Sequence, residues 1–585
     1  MRLTDDQRRI VASDASIAVK ACPGSGKTRA LVAKSVLCLE ETRRTTRHVA
    51  CLTYTNAAAN EVSVRVGRLL PPEDADRLYT ATIHAFCVRH LLRPYYWASD
   101  GFVRGFEIAA PDSEPYKRHA RAALHAHGIR DARALDELEL VGRSADGDPV
   151  VAGQLPSTAV ADFWRRMQAA GLMDFPTMLY ESWRICDRLP AVVRGIASRY
   201  VWMLIDEFQD TTDVQFQILV RIAAERRSRF MIVGDPCQSI FRFAGARPAF
   251  FDRFALEVQA RTDLALSENF RSSEAIVNVA EGLIPRAPPM RAVGPDRDAG
   301  CTPTWVDCDN VAAAITERIL PELAEFGIAR GGTAILAPWF LPLYQLGRQL
   351  RQLGIPIVGP GARPYRRRHL IVPISECLAA CSCVGRAGSR HWVEREVRDL
   401  VRQVAKEPRP LEGMEVTTAA AAMIAAARRL RRRSASAERW LTGVAALAAE
   451  QLKAAGLLTS SECARIEFSG REVVTEAKRL GDLDEVSVDH LAEFVRPTEH
   501  IHLLTVHRSK GREYDAVILI DAHDGRFPHF TASDDEDVED GRRLLYVALT
   551  RARKALYVLT GHDSRGADPS RFLLEHDLPL RVVSM

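Results

Sequence analysis

The sequence predicts an α/β protein that is built from several domains. The β-rich residues 17–19 lead into a glycine-rich turn and then into a helical pattern. A second apolar run, "VWMLI" at 201–205, has the composition of a buried strand and ends at Asp206 and Glu207. The chain has 585 residues, too many for one hydrophobic core, so three or four domains or subdomains are expected.

Composition excludes several classes of protein. Apolar residues make up 47% and charged residues 26% of the chain, which is ordinary for a globular protein. The net charge of +4 is small for this length, so any basic surface must be local. No apolar run is long enough to span a membrane, and the start "MRLTDDQRRI" lacks the apolar core of a signal peptide. We therefore expect a cytoplasmic protein.

The 12 cysteines are scattered, and disulfides are not expected in such a compartment. Three of them cluster in "ECLAACSCVG", at Cys377, Cys381 and Cys383. A metal site would need a fourth ligand, and no further cysteine or histidine is nearby. We interpret the cluster as reduced thiols partly buried in a helix, with a metal site as the alternative.

The turn after the first strand has the form of a phosphate-binding loop. A strand, a glycine-rich loop and a helix follow in the order that the Walker A motif requires. The strict pattern has glycine at position 21, where this chain has Ala21. Lys27 should reach the β- and γ-phosphates, and Thr28 should hold Mg²⁺. The intact part of the motif is Gly24, Ser25, Gly26, Lys27 and Thr28; the alternative is a chance resemblance in a glycine-rich turn.

The acidic pair after the second strand fits the partner motif, Walker B. Asp206 would complete the Mg²⁺ shell, partly through water, and Glu207 would orient and deprotonate the attacking water. Without the phosphate loop, the same pair would be interpreted as a solvated strand end.

Further motifs follow in a fixed order along the chain. They are "LTDDQRRIV" near the start, "CLTYTNAAANEV" (51–62), "TATIHAFC" (80–87), "IVGDPCQSIFRFAGA" (232–246), "LSENFRSS" (266–273), "IHLLTVHRSKGREYDAVILI" (501–520) and "RRLLYVALTRARKALYV" (542–558). In this order, the set closely resembles the superfamily 1 DNA helicases of the UvrD/Rep type, over nearly the whole chain.

The resemblance implies ATP and Mg²⁺ as cofactors and assigns residues to the nucleotide. It implies that Gln7 reads the adenine edge, that Arg29 and Phe270 sandwich the adenine ring, and that Glu513 binds the ribose. It also implies that Gln238 senses the γ-phosphate and that Arg271 and Arg551 contact it. For an arginine taken alone, a surface salt bridge would be the default interpretation.

The resemblance also implies contacts with single-stranded DNA. Phe243 stands where the family usually has a tryptophan that stacks on a base. Taken singly, Tyr54 and Phe243 would more often be core residues than a DNA platform. The implied DNA contacts are Thr53, Tyr54, Asn56, Thr82, His84, Phe86, Phe243, Thr505, His507 and Lys510.

The architecture that the resemblance implies is two RecA-like P-loop motor domains, each interrupted by a mainly helical inserted subdomain. The first motor domain would be 1–87 with 196–275, interrupted by 88–195. The second would be 276–370 with 497–585, interrupted by a reduced insertion at 371–496, which is rich in alanine and arginine.

One position and four stretches call for separate interpretation. Ala244 stands where the family often has an arginine, so one DNA or coupling contact is expected to be missing. The stretch 561–568 is short and lacks an aromatic residue, so strand separation is less firmly expected than ATP hydrolysis and translocation. The basic runs at 365–369 and 428–433 are solvated helix faces or, alternatively, contacts with duplex phosphates. The acidic run "SDDEDVED" at 533–540 is expected to be a solvated connection.

The leading functional hypothesis is a DNA helicase or translocase that moves 3′ to 5′ on single-stranded DNA, in repair or recombination. The expected partners are single-stranded DNA and single-strand/duplex junctions, and no motif here reads the 2′-OH of RNA. One alternative is the motor subunit of a complex with a separately encoded nuclease, for example in phage defence. Another is an ATP-dependent clamp or switch that unwinds little alone.

Overall fold

The computed structural model describes residues 3–99, 102, 105–111, 113–131, 133–150, 153, 155–363, 365, 369–383, 389–405, 411, 413–480, 486–495, 499–561, 568–575 and 577–585. The chain divides into two compact units. Unit 1 is Met1–Ala299 with Ala532–Thr550, and unit 2 is Gly300–Thr531 with Arg551–Met585. Both contain a parallel sheet with helices, so the predicted α/β class is confirmed.

Unit 1 is built on a six-stranded, all-parallel sheet with the strand order β10-β1-β9-β8-β2-β3. The predicted strands at 17–19 and 201–205 are confirmed as β1 and β8, and both are almost wholly buried. Because the sheet is parallel, the carboxyl ends of its strands meet at one edge, where ligands usually bind. The strands are β1 (Ile17–Ala21), β2 (His48–Thr53), β3 (Leu78–Thr82), β8 (Tyr200–Ile205), β9 (Arg229–Gly234) and β10 (Ala265–Leu266), with short pairs outside the sheet at β4 (Glu107–Ile108), β5 (Gly142–Arg143), β6 (Pro149–Val150), β7 (Leu172–Met173), β11 (Glu268–Asn269) and β12 (Arg291–Ala292).

The helices of unit 1 supply the apolar partners of this sheet and a second, smaller core. The smaller core lies within 109–172 and is centred on Tyr116, Phe163 and Trp164. The helices are α1 (Asp5–Val11), α2 (Lys27–Glu41), α3 (Asn56–Gly67), α4 (Pro72–Ala75), α5 (Ile83–Cys87), α6 (Arg93–Tyr95), α7 (Glu114–Ala126), α8 (Arg133–Leu138), α9 (Ser157–Ala169), α10 (Phe175–Arg188), α11 (Pro190–Arg199), α12 (Asp213–Ala224), α13 (Phe250–Glu257), α14 (Glu274–Leu283) and α25 (Asp535–Leu549).

Helix α25 overturns one prediction. The acidic run at 533–540 was expected to be a solvated connection, but the helix begins inside it, at Asp535. The Asp534 side chain caps the helix by accepting a hydrogen bond from the backbone N–H of Asp537. Carboxylates in a first helical turn interact favourably with the helix dipole, so the run is a helix start rather than a loop.

Unit 2 is built on a seven-stranded parallel sheet with the order β15-β16-β14-β17-β18-β13-β19. At its centre β14 and β17 pair with each other. The strands are β13 (Thr304–Cys308), β14 (Thr333–Ala337), β15 (Ile357–Val358), β16 (Ile501–Thr505), β17 (Tyr514–Leu519), β18 (Ala552–Gly561) and β19 (Arg581–Ser584).

Most helices of unit 2 lie between β15 and β16. The alanine- and arginine-rich stretch expected to be helical within 371–496 includes α20, and the indole of Trp440 donates to Ser375 O at 3.1 Å between two other helices of this region. The helices of unit 2 are α15 (Val311–Ala313), α16 (Leu320–Glu325), α17 (Phe340–Gln352), α18 (Val372–Ser382), α19 (Arg390–Val404), α20 (Gly413–Arg433), α21 (Ala437–Ala454), α22 (Ser460–Leu480), α23 (Val488–Glu493), α24 (Val506–Ser509) and α26 (Arg571–Leu574).

Two of the clustered cysteines, Cys377 and Cys381, lie on α18, and Cys383 caps its end. All three are free thiols, and Cys377 and Cys383 are buried. Burial raises the pKa of Cys377 to about 12. The described residues contain no cluster of side chains able to hold a metal ion.

Two of the stretches set apart above fall partly outside the described residues. These are the basic run at 365–369, of which 366–368 are not described, and the hairpin at 561–568, of which 562–567 are not described. The other basic run, 428–433, forms the end of α20, where Arg431 pairs with Asp489 at 2.7 Å. In the part of the chain that the structure describes, no helix is both long and apolar enough to cross a membrane.

Candidate nucleotide and nucleic-acid sites

The predicted phosphate loop joins β1 to the start of α2. Gly24 and Gly26 have left-handed backbones, with φ of +66° and +77°, and α2 begins at Lys27. A Cβ on Gly24 would lie 2.6 Å from Arg271 Cβ, and one on Gly26 would lie 2.8 Å from Gln7 Nε2. Both positions therefore require glycine. Ala21, the departure from the strict motif, ends β1 with no left-handed backbone, so it leaves the loop undisturbed.

Hydrogen bonds within the loop and from two distant segments hold this loop. Gln7, buried on α1, donates from Nε2 to Ser25 O at 3.1 Å. The Ser25 hydroxyl donates to Cys22 O at 2.7 Å. Phe270 donates its backbone N–H to Gly24 O at 2.9 Å. Gln7 and Phe270, two of the residues predicted at the adenine, thus lie against the loop; Arg29 is exposed on the first turn of α2.

The acidic pair at the end of β8 faces the loop lysine. Lys27 Nζ lies 3.9 Å from Glu207 Oε1, and Glu207 has a left-handed backbone with φ of +51°. Burial and the neighbouring Glu207 carboxylate raise the pKa of Asp206 to about 7. Two carboxylates that lie close together at the end of a buried strand repel each other, and a bound cation would stabilise both in their charged form. The hydroxyl of Thr28, next to Lys27, adds a second hard oxygen of the kind Mg²⁺ prefers.

A hydrogen-bonded chain leads from this pair to the third motif. Gln209 donates from its side-chain amide to Glu207 Oε2, and its Oε1 accepts the backbone N–H of Asp235 at 3.0 Å. Gln238 in turn donates from Nε2 to Asp235 Oδ2 at 2.6 Å. The predicted γ-phosphate sensor is therefore linked to Glu207 through buried groups. Sequence reasoning missed Gln209, although it lies only two residues after Glu207.

A second missed residue is Arg286, which lies outside all the quoted motifs. Its Nη1 lies 2.9 Å from Asp235 Oδ1 and 3.0 Å from the Tyr546 hydroxyl on α25. The Asp235 side chain is wholly buried and that of Arg286 is 10% exposed. Burial acts to lower the pKa of Arg286, but Asp235, Tyr546 and the nearby cysteines together raise it overall. No local pattern signals this pair, because its partners are far apart in the sequence.

The predicted arginines at the γ-phosphate belong to different units. Arg271, in unit 1, donates from Nη1 to Thr550 O at 3.1 Å, and its backbone N–H donates to Asn269 Oδ1 at 2.8 Å. Arg551, in unit 2, is buried and donates from Nη1 to Arg512 O at 3.3 Å. Unit 2 also contains Glu513, Thr505, His507 and Lys510, of which Thr505 ends β16 and is buried.

Part of the predicted DNA surface forms a row of aromatic rings in unit 1, of which Tyr54 is exposed and Phe241 and Phe243 are half-buried. Tyr54 is 48% exposed and stacks on Phe241 with ring centroids 5.3 Å apart and 17° between the planes. Phe243 meets Phe241 edge-on at 6.0 Å. All three line a groove of about 1050 Å³ with His84 and Phe175. His84 also borders a neighbouring groove of about 770 Å³ that includes Asn56.

Other predicted DNA contacts have local structural roles. Thr82 caps α5 by accepting the N–H of Ala85, and buried Thr53 donates to Thr55 O at 2.9 Å. Phe86 is 0% exposed and packs among Tyr79, His90 and Tyr200. Phe86 thus has no surface to offer a base, and its predicted contact is corrected to a core role. The misinterpretation arose because an aromatic inside a motif that is expected to contact DNA was given the role of its neighbours.

Arg242, directly before Phe243, is a further residue that sequence reasoning missed. Its guanidinium contacts three carboxylates on α25: Glu536 at 3.0 Å, and Asp537 and Asp540 more closely. All four side chains line the same groove as Phe243. The acidic run thus fixes the position of the segment that bears the predicted base-stacking ring.

Comparison with known proteins matches two regions of the chain to family models. Residues 3–259 match the UvrD/REP helicase N-terminal domain, and residues 471–562 match the UvrD-like helicase C-terminal domain. Together these regions cover more than half of the chain.

Curated relatives match over nearly its full length. A putative ATP-dependent DNA helicase YjcD of Bacillus subtilis (strain 168) is 24% identical, over 97% of this chain and 80% of the relative. The ATP-dependent DNA helicase UvrD1 of Mycobacterium tuberculosis (strain ATCC 25618 / H37Rv) is 25% identical, over 95% of this chain and 82% of the relative. The ATP-dependent DNA helicase Rep of Salmonella typhimurium is 25% identical, over 95% of this chain and 91% of the relative. The chain belongs to the UvrD/REP helicase family.

Proposed function

We propose that this protein is an ATP-dependent DNA helicase that uses ATP with Mg²⁺ to move 3′ to 5′ along single-stranded DNA, in DNA repair or recombination. The observation that carries the proposal is the connection inside unit 1 between the predicted phosphate site and the groove lined by the rings of Tyr54, Phe241 and Phe243. The hydrogen-bonded chain from Glu207 reaches Gln238, and five residues later the same segment bears Phe243.

The predicted nucleotide site has hydrogen-bond donors and positive charge for the phosphates of ATP and oxygen ligands for Mg²⁺. The left-handed glycines leave the loop backbone free of side chains, and the start of α2 adds the positive end of a helix dipole. Lys27 would hold the phosphates, and Thr28 and Asp206 would hold the metal ion, which neutralises charge on the transferred phosphoryl group. Glu207, held by Gln209, would orient the attacking water. The nucleotide roles of Gln7, Arg29, Phe270, Glu513, Arg271 and Arg551 are part of the proposal.

The coupling between nucleotide and DNA would run through one short segment. Asp235 to Ala244 contains two single-turn helices, Pro236–Gln238 and Arg242–Ala244, joined without any longer element. Few residues separate Gln238 from Phe243, so a change in the contacts of Gln238 would be transmitted to the position of Phe243. The base-contacting roles of Tyr54, Asn56, His84 and Phe243 in unit 1 are proposed on this basis. The roles of His507 and Lys510, and the four-part division of the chain at 87, 195, 275, 370 and 496, are proposed from the family resemblance.

Strand displacement by the purified protein tests the proposal. Duplexes carry either a 3′ or a 5′ single-stranded tail, and ATP hydrolysis on single-stranded DNA is measured in parallel. We expect displacement from the 3′ tail only, with hydrolysis stimulated by DNA. The Lys27→Ala variant, which lacks the phosphate-binding ammonium, is the matched control. Displacement from the 5′ tail would refute the polarity, and hydrolysis without displacement from either tail would refute the helicase activity.

A further inference from the structure

The groove of unit 1 that contains Phe243 carries more negative than positive side chains. Among the described residues that line it are seven carboxylates and four arginines. A single strand of DNA has an anionic backbone, and proteins that bind such a strand hold it in a positively charged groove. The groove proposed for DNA therefore has the opposite sign of charge in this structure.

The start of α25 supplies three of these carboxylates. They are Glu536, Asp537 and Asp540, and each contacts a different nitrogen of the Arg242 guanidinium. Nη1 of Arg242 lies 3.0 Å from Glu536, while Nη2 and Nε lie closer to Asp537 and Asp540. Asp540 also lies 2.7 Å from Arg543 on the same helix. The acidic run thus pairs with two of the four arginines of the groove.

This contact imitates the way in which an arginine binds a phosphate. A guanidinium presents its N–H groups as a planar fork, which matches the oxygens of a carboxylate or of a phosphate. All three nitrogens of Arg242 already face anionic oxygens of α25. One cation cannot neutralise three carboxylates, so negative charge remains beside Arg242.

The position of Arg242 gives this contact a consequence for DNA. Arg242 and Phe243 are adjacent in the single-turn helix Arg242–Ala244, and both line the groove. A strand with a base against Phe243 would bring its phosphates toward Arg242. The carboxylates of α25 occupy the N–H groups that these phosphates would use, and they repel phosphates nearby.

The contact is also exposed enough to be exchanged. The Arg242 side chain is 29% exposed, and the side chain of Glu536 is 61% exposed. Ion pairs that water reaches are weak, because solvent screens their charges. The pair of Arg286 and Asp235 is different, since both side chains are buried and its loss would leave a buried charge unpaired. Phosphates can therefore replace the carboxylates at Arg242 without disrupting the core of unit 1.

We propose that Glu536, Asp537 and Asp540 form an internal phosphate mimic, which holds Arg242 in the absence of DNA and must be displaced by the phosphates of a single strand. This inference rests on the proposed function, since it requires the strand to lie in this groove. The mimic weakens binding, because the strand must break the contacts of Arg242 and approach the released carboxylates. It therefore disfavours short strands, which have few other phosphates to offset this cost.

Binding of a fluorescent oligo-dT to the full chain tests the inference. The double variant Glu536→Gln with Asp537→Asn keeps the shape of both side chains and removes both charges. We expect it to bind about 4- to 25-fold more tightly at low salt, because each exposed charge changes the affinity by about 2- to 5-fold. Its affinity should also fall more steeply as salt rises, because carboxylates released from Arg242 no longer take up cations.

The matched control is the double variant Asp535→Asn with Glu539→Gln. It removes the same two charges from the same helix, but neither residue is among the described residues that line the groove. We expect its affinity for oligo-dT to change by less than about 2-fold, because salt screens charges at a distance. Melting temperatures show whether both double variants are folded. If the first is not, Glu536→Gln alone takes its place, with an expected gain of about 2- to 5-fold.

Three results would overturn the phosphate mimic. Weaker binding after loss of Glu536 and Asp537 would show that the carboxylates position Arg242 and Phe243 for DNA and do not compete with it. Equal tightening by both double variants would show a general effect of net charge, and unchanged binding would show that no competition exists. A failure of the proposed function has a different result, since the unsubstituted protein and every variant would then fail to bind oligo-dT.

Discussion

The buried pair of Arg286 and Asp235 supports a quantitative prediction about stability. In Arg286→Met the long apolar stem is kept while the guanidinium is lost, so the wholly buried Asp235 side chain is left without its cation. Removing one partner of a buried ion pair costs about 3–5 kcal/mol. One kcal/mol lowers the melting temperature of a domain of about 200 residues by about 2–4 °C, and that of a larger unit by less. We expect Arg286→Met to lower the melting temperature of unit 1 by roughly 5–10 °C.

Differential scanning calorimetry of the full chain is the assay, because it can separate the transitions of the two units. The double variant Asp235→Asn with Arg286→Met has no buried charge, and Asn retains a carbonyl oxygen for the Gln238 amide. It should therefore melt above Arg286→Met alone, by about 3 °C or more. The matched control is Arg297→Met, because Arg297 is half-exposed and its partners Glu274 and Asp298 are more than half-exposed. We expect that control to shift the transition by no more than about 1 °C.

Two results would refute this reasoning. A transition of Arg286→Met within about 1 °C of the unsubstituted protein would show that Asp235 does not depend on this cation. A double variant that melts below Arg286→Met would show that the cost comes from lost packing and not from the unpaired charge.

Three further substitutions test the site. Lys27→Ala should reduce ATP hydrolysis by orders of magnitude, and unchanged turnover in a steady-state assay would contradict the phosphate role. Its melting temperature should change little, because the distance of 3.9 Å between Lys27 Nζ and Glu207 indicates a weak ion pair. Phe243→Ala should weaken binding to single-stranded DNA by about 5- to 150-fold by anisotropy, with a stable fold; a large fall in melting temperature would instead identify the ring as core. Arg242→Ala leaves three carboxylates of α25 together, so it should lower the melting temperature more at low salt than at high salt; an effect independent of salt would argue against charge repulsion.

The features that were predictable from the sequence are local ones. The phosphate loop, β1 and β8 follow from residue types within one short window, where glycine geometry and apolar runs act directly. The acidic run at 533–540 was misinterpreted although its signal was also local. Asp534 before a run of acids is a helix-start signal, but the density of charge favoured an interpretation as a solvated loop.

Contacts between distant segments were not predictable. Arg242 and the carboxylates of α25 are almost 300 residues apart in the sequence, and no periodicity connects them. Arg286 lies in a segment that no motif marks. Phe86 shows the opposite error, since a motif drew attention to a side chain that the fold buries completely. Motifs indicate which segments take part in a site, but packing decides which side chains face the ligand.

Arg286 would allow Gln238 to act as the proposed sensor next to a buried carboxylate. In the structure Gln238 donates one of its two amide hydrogens to Asp235 Oδ2, and a rotation of the amide away from Asp235 and toward a phosphate would break this bond. Without another partner, the buried Asp235 carboxylate would then destabilise the fold. It remains satisfied, however, because Oδ1 keeps Arg286 at 2.9 Å and the backbone N–H of Cys237 at 3.1 Å. The Gln238 amide can therefore change partners while the buried charge beside it stays neutralised, which is what a switch between two states of similar energy requires.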